Sequence, residues 1–233
     1  MPRLLLIRHG QASFGADDYD ALSELGHEQA RTLGRSFVAR GVRPGLLLRG
    51  TMRRHAETAA GLLDGLGTAL AEIVDEGWNE FDFQHVVEIH RPLFRDRTAM
   101  MAEIGRFERP DRAFQQIFEE ATLRWSSGRF DSQYAESFAA FRARVAAVLD
   151  RARALLAEHR EIVAVSSGGP IAMAAALLTV GDSAGTAPLW SALNRVTVNT
   201  GVTKVISGSR GLSLSTYNEH THLEDRPALL TYR

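Results

Sequence analysis

Cysteine is absent from the 233 residues, which excludes disulfides, thiolate metal sites and cysteine nucleophiles together. No apolar run approaches the roughly 20 residues needed to cross a bilayer. The apolar stretch at 4–7 is too short for the core of a secretory signal and passes directly into Arg8-His9. A cytoplasmic protein without membrane association is the expectation. Charge of one sign is also missing. The 27 basic and 28 acidic side chains leave a formal net charge of -1, so no general nucleic-acid or membrane-surface partner is expected, and any anion site must be local.

What is present suits a single large domain. The chain is 45% hydrophobic and 24% charged, long enough to bury a sizeable core. Leu4-Leu5-Leu6-Ile7 reads as a buried central strand, as do Leu46-Leu47-Leu48 and Ile162-Val163-Ala164-Val165, with Ile73-Val74 a weaker one. Residues 21–40 have helical apolar spacing, stopped by Gly41. Thr51 is placed to cap a second helix that fails around Gly65-Leu66-Gly67. Residues 138–159 form a long amphipathic helix, and Pro170 sits in the first turn of a small-residue helix over 171–178. Residues 196–206 and 212–217 read as strands joined by a turn at Ser207-Gly208-Ser209.

Strands alternating with helices predict a three-layer α/β/α sandwich with a mostly parallel central sheet. Residues 82–130 interrupt the pattern. This stretch is rich in charge and aromatics and helical from Thr98, with a break at Arg109-Pro110. It is expected to be a helical cap inserted over the active site of one domain spanning 1–233.

Ligands of open α/β sheets bind beyond the carboxyl ends of the strands. Arg8-His9-Gly10, Arg54, Glu80 and Ser166-Ser167-Gly168-Gly169 all fall there. Arg8 and Arg54 present planar, permanently charged forks suited to phosphate oxygens. Between such cations His9 is held neutral and nucleophilic. Ser167 offers a hydroxyl, Gly168 a backbone amide at a helix start, and Gln11 a further polar group for a bound phosphate. Glu80 is a candidate proton donor to a leaving alkoxide, with Glu76 and Asp82 as competitors. No metal or cofactor is called for, because the arginines supply the charge compensation.

The segments "LLLIRHGQ", "LSELGHEQARTLG", "GTMRRHAETA", "WNEFDF", "VAVSSGGPI" and "NEHTHL" resemble the histidine phosphatase superfamily, the phosphoglycerate mutase-like proteins. The resemblance runs through nearly the whole chain apart from 83–129. It implies His9 as nucleophile with Arg8 beside it, Arg54 rather than Arg53 as second phosphate ligand, and Glu80 as proton donor. It also exposes a departure. Where the family usually has Ser-His-Gly-Gly, this chain has Ser166-Ser167-Gly168-Gly169, so the second histidine is a serine. Losing one preorganised donor typically costs about 10²–10³ in rate.

The expected activity is therefore metal-independent hydrolysis of a small phosphomonoester through a phosphohistidine on His9, slowed by Ser167. A phosphate-binding or regulatory module with little turnover is the alternative from another class. A mutase-type phosphotransferase is a third reading, for which Arg91, Arg95, Arg97 and Arg106 leave room. Arg53 reads as solvated, because adjacent helical residues do not share a face. A serine-nucleophile elbow at Ser167 lacks its upstream glycine, the position being Val165. His220 and His222 form a lone His-x-His in a chain without cysteine, which reads as structural rather than as a metal pair. A homodimer is compatible with the sequence, and the substrate is not legible in it.

Overall fold

The computed structural model describes residues 1–13 and 20–232, apart from the side chain at position 111. By its contacts the chain divides into two compact units. One comprises Met1–Glu80 with Val145–Arg233, and the other is Phe81–Arg144.

The first unit is built on a six-stranded sheet of order β3-β2-β4-β1-β5-β6. Strands β1 (Arg3–Arg8), β2 (Leu46–Arg49), β3 (Glu72–Val74) and β4 (Glu161–Ser166) run parallel to their neighbours in this set. Strand β5 (Val202–Gly208) lies antiparallel to β1, and β6 (Gly211–Glu219) antiparallel to β5. The central strands are apolar without alternation because both faces are covered. Leu5, Ile7, Leu47, Val163 and Val165 share a core with Leu33, Phe37, Ala59 and Leu62 of helices α1 (Glu24–Ala39) and α2 (Arg53–Leu66). Leu4, Leu6, Ile162 and Ala164 alternate to the opposite face and are just as buried. Strand β3 is exposed and at the edge, where Glu72 pairs with Arg49, a charged device that discourages further strand addition.

Ser23 caps α1 by accepting from the Gly26 amide, and Gly41 follows the helix at φ 69°, the left-handed stop expected there. Thr51 does not cap α2. Its amide donates to Asn79 Oδ1 and its hydroxyl accepts from Asn79 Nδ2, while the Arg53 amide is met at 2.7 Å by Asp20 Oδ2. The carboxylate comes from outside the helix, so local spacing did not disclose it.

In the second unit, α3 (Phe83–His90), α4 (Arg97–Ile104) and α5 (Pro110–Ser126) precede α6 (Phe138–Leu155), which carries the chain back into the first unit. The unit extends beyond the expected 82–130 because Phe138 and Phe141 belong to its core. Phe81 stacks on Trp125 at 4.7 Å, and Phe138 meets Trp125 edge-on at 5.1 Å. The aromatic richness of the stretch is thus spent on a small core of its own.

Helix α7 starts at Gly168 and runs to Val180, earlier and later than the spacing indicated, and is buried along its first nine residues. The strand expected over 196–206 needs correction. Its first residue ends helix α8 (Thr186–Val196), and the strand begins only at Val202. Between them the chain turns through Thr200 at φ 58°, packed so tightly that a Cβ on Gly201 would lie 2.5 Å from Asn218 Oδ1. The β-branched residues Thr197, Val198 and Thr200 mimic a strand while serving a loop, and Val196 does so at the end of a helix. A short α9 (Thr221–Glu224) follows β6.

Candidate active site

Arg8, His9, Arg54, Glu80, Ser167 and Gly168 lie in the first unit, at or just beyond the carboxyl ends of β1, β2, β3 and β4. The parallel register pairs Arg8 with Ser166, so His9 and Ser167 leave adjacent strands at the same level. The His9 amide donates to the Ser166 carbonyl at 2.9 Å, which ties the two strand exits together.

The His9 ring is buried, and its Nδ1 lies 2.7 Å from the Gly10 carbonyl oxygen. A carbonyl only accepts, so Nδ1 carries the proton and Nε2 keeps its lone pair. Burial, then the Arg54 and Arg8 guanidinium groups, then His55, hold the imidazole well below its ordinary pKa. The outcome is a neutral, desolvated nitrogen nucleophile between two cations.

The turn that presents it is pinned from several sides. The Gly10 amide donates at 3.0 Å to Thr58 Oγ1, whose own hydrogen goes to the Arg54 carbonyl at 2.6 Å. One hydroxyl therefore links the His9 loop to the first turn of α2. Gly10 also sits against α1 so closely that a Cβ would stand 2.5 Å from the Gly26 carbonyl oxygen. The His9 carbonyl accepts from Asn199 Nδ2 at 3.1 Å.

Arg8 is held by the Thr197 carbonyl and, at 3.0 Å, by the Tyr232 carbonyl. The Thr197 loop misread as a strand is thus a support for Arg8. Arg54 is buried and pairs with Asp20 at 2.5 Å, while its Nε has no hydrogen-bond partner among the described residues. A buried guanidinium nitrogen left over after the ion pair fits an anionic ligand. Arg53 lies exposed and is spent on Glu57.

Glu80 accepts from the Gly169 amide at 3.2 Å, which brings it to the start of α7. Glu76 is exposed in a 3-10 turn, and Asp82 caps α3 in the other unit by accepting from the His85 amide at 2.9 Å. Gly168 lies beside Arg8. A Cβ there would stand 3.7 Å from Arg8 Nε and 2.8 Å from Asn194 Oδ1. Gln11 is tied to α1 by its backbone amide and side-chain oxygen. Its amide donates to Gln29 Oε1 at 2.8 Å, and its side-chain oxygen accepts from Ser23 Oγ at 2.9 Å.

Ser167 is completely buried, and its Oγ lies 2.8 Å from His55 Nε2. The ring of His55 is 6.0 Å from that of His9. Sequence reasoning passed over His55, since a lone histidine after Arg54 carries no motif and its partner lies 112 residues away. His220 and His222 are used structurally. His222 Nε2 meets Thr200 Oγ1 at 3.0 Å, and His220 Nδ1 meets the Asn218 carbonyl at 2.7 Å.

Comparison with known proteins gives the family and the fold. A family model described as histidine phosphatase superfamily (branch 1) matches residues 4–99 and 98–220. A 2,3-bisphosphoglycerate-dependent phosphoglycerate mutase of Chelativorans sp. (strain BNC1) is 37% identical over 87 residues, 34% of this chain and 42% of that protein. One of the same description from Methylobacterium sp. (strain 4-46) is 38% identical over 106 residues, 42% of this chain and 50% of that protein. The chain thus spans half or less of the length of these curated relatives. Among solved structures, the phosphoserine phosphatase of Entamoeba histolytica in complex with 3-phosphoglyceric acid superposes with TM-score 0.63 at 19% identity, covering 96% of this chain and all of that one. A mycobacterial glucosyl-3-phosphoglycerate phosphatase gives 0.59 at 24% identity over 95% of this chain and all of that one. At such identities the likeness establishes a shared fold.

Proposed function

Because the chain belongs to the histidine phosphatase superfamily, we propose that it is a metal-independent phosphatase acting on a small phosphomonoester through a phosphohistidine on His9. The observation that carries the proposal is the 2.7 Å contact from His9 Nδ1 to the Gly10 carbonyl. It leaves Nε2 as the free nucleophilic nitrogen in a pocket with Arg8 and Arg54.

In the first step Nε2 attacks phosphorus in line. The Nε2–P bond forms as the bond to the leaving oxygen breaks, and Glu80 in its protonated form delivers a proton to that oxygen. Arg8, Arg54, Ser167 and the Gly168 amide balance the charge spread over the other phosphoryl oxygens. In the second step water attacks phosphorus, its proton passes to Glu80, and the Nε2–P bond breaks to restore the imidazole. The arginines do the charge compensation that a metal would otherwise supply. Ser167 in place of an imidazole donor predicts a modest rate. Directly following Glu80 in the chain, Phe81–Arg144 is the segment we assign to substrate choice.

The test is a phosphomonoester panel assayed with and without chelator, with His9→Ala as the blank. An acid-labile, base-stable phosphoryl label on the parent protein and none on His9→Ala is the expected result. Equal hydrolysis by His9→Ala defeats the mechanism. A second reading, mutase-type phosphoryl transfer, draws on the names of the curated relatives. Conversion of 3-phosphoglycerate primed by 2,3-bisphosphoglycerate, faster than hydrolysis of any panel member, would favour it.

A further inference from the structure

His55 and Ser167 are both fully buried and come from different elements, the first turn of α2 and the start of α7. Their 2.8 Å contact has a direction that the surroundings decide. Burial, with the charges of Arg54 and Arg49, keeps the His55 ring neutral, so it carries a single N–H. Nδ1 is buried with no hydrogen-bond partner among the described residues. Its surroundings are close, since a Cβ on Gly50 would stand 2.3 Å from it. A buried N–H without an acceptor costs more than an unused lone pair. The hydrogen therefore belongs on Nε2, which donates it to Ser167 Oγ.

That assignment matters for Ser167. A hydroxyl that donated to His55 would face a phosphoryl oxygen with lone pairs only, and would repel it. A hydroxyl that accepts from His55 keeps its own hydrogen for another acceptor, and no other partner of Ser167 Oγ is present among the described residues. Accepting one bond also strengthens the bond it donates.

We propose that His55 is a positioning residue that donates through Nε2 to Ser167 Oγ and thereby commits the serine hydroxyl to donate to a phosphoryl oxygen held at His9. This rests on the reading of His9 as phosphoryl acceptor. The imidazole is absent from position 167 but stands one hydrogen bond behind it.

The test combines kinetics with two measurements that need no turnover. Hydrolysis of p-nitrophenyl phosphate, inhibition by vanadate, and calorimetric binding of vanadate are compared for the parent, His55→Ala, His55→Gln, Ser167→Ala and the His55→Ala/Ser167→Ala double variant. His55→Ala should lower kcat and weaken vanadate binding by about tenfold each, with KM nearly unchanged, as expected for one neutral hydrogen bond. His55→Gln, whose amide N–H can replace Nε2–H, should recover most of both. The double variant should be no worse than Ser167→Ala, since the two act through one hydroxyl. Parent-like kcat and vanadate affinity in a folded His55→Ala protein, or losses that multiply in the double variant, would overturn the proposal. Nitrogen-15 NMR of the parent decides the tautomer even if His55→Ala does not fold: a proton on His55 Nδ1 rather than Nε2 refutes the assignment. If the parent takes no phosphoryl label on His9, the hydrolase reading fails, while vanadate affinity and the tautomer still test the His55–Ser167 pair.

Discussion

Two hydrogen bonds, one at His9 Nδ1 and one at Thr58 Oγ1, fix how the imidazole is offered. The first sets the tautomer, and burial between cations keeps the ring uncharged. The His9 side chain should accordingly remain the neutral Nδ1–H form at pH values where an ordinary histidine is already protonated, read from its ring nitrogen shifts. A titration midpoint near the ordinary value of about 6.5 would contradict that protonation state. The second bond has a mutational counterpart. Thr58→Val keeps the shape but strips the acceptor from the buried Gly10 amide and the donor from the Arg54 carbonyl. Leaving that amide unsatisfied should cost about 1–3 kcal/mol in denaturant melts and lower hydrolysis as well, because the His9 loop loses its tie to α2. At this scale Arg8, His9 and Arg54 were legible, as permanent charges and a histidine after apolar strands. His55 was not, because its meaning lies in a contact with Ser167 that only the tertiary fold creates.

At the scale of elements, α1 and α2 meet through glycines. A Cβ on Gly34 would lie 2.4 Å from the Leu62 carbonyl oxygen and 2.7 Å from Gly65 Cα, both backbone atoms that cannot step aside cheaply. Gly34→Ala should separate the helices and destabilise the protein by about 1–3 kcal/mol, with a visible drop in Tm. Gly41→Ala makes a useful contrast. Nothing lies within 4 Å of that position, but φ is 69°, so the cost should be the left-handed penalty alone, about 1–2 kcal/mol. Equal Tm values for Gly34→Ala and the parent would show that the helices yield. The buried strands were readable because burial on both faces leaves an unbroken apolar run. The 197–201 segment was misread because β-branched residues suit a strand and a packed turn alike. The cap of α2 escaped because Asp20, and not the neighbouring Thr51, supplies the carboxylate.

Across the whole molecule, three histidines among the described residues are held neutral, His9 and His55 buried and His222 half-buried. His9 and His55 lie well below their ordinary pKa, and His222 is pushed down to about 3, in each case chiefly by burial. The unfolded chain binds a proton at each of these sites near pH 6.5, whereas the folded chain does not. Between the two pKa values the unfolded state therefore carries more protons, and stability rises with pH. Their contribution is complete above about pH 6.5 and is lost as pH falls below it, for His222 down to about pH 3. Glu28 is held down to about 2, chiefly by its hydrogen bond from Arg226, so the first acid loss should belong to the histidines. Thermal melts from pH 7.5 to 4 should show Tm falling from about pH 6.5, and His222→Gln should flatten that slope without touching the Arg8–His9–Arg54 pocket. Gln can keep a polar contact to Thr200 Oγ1, which His222 Nε2 makes at 3.0 Å, while removing the titrating group. A slope in His222→Gln identical to that of the parent would place the acid lability elsewhere, at His9 and His55 or in the carboxylate pairs.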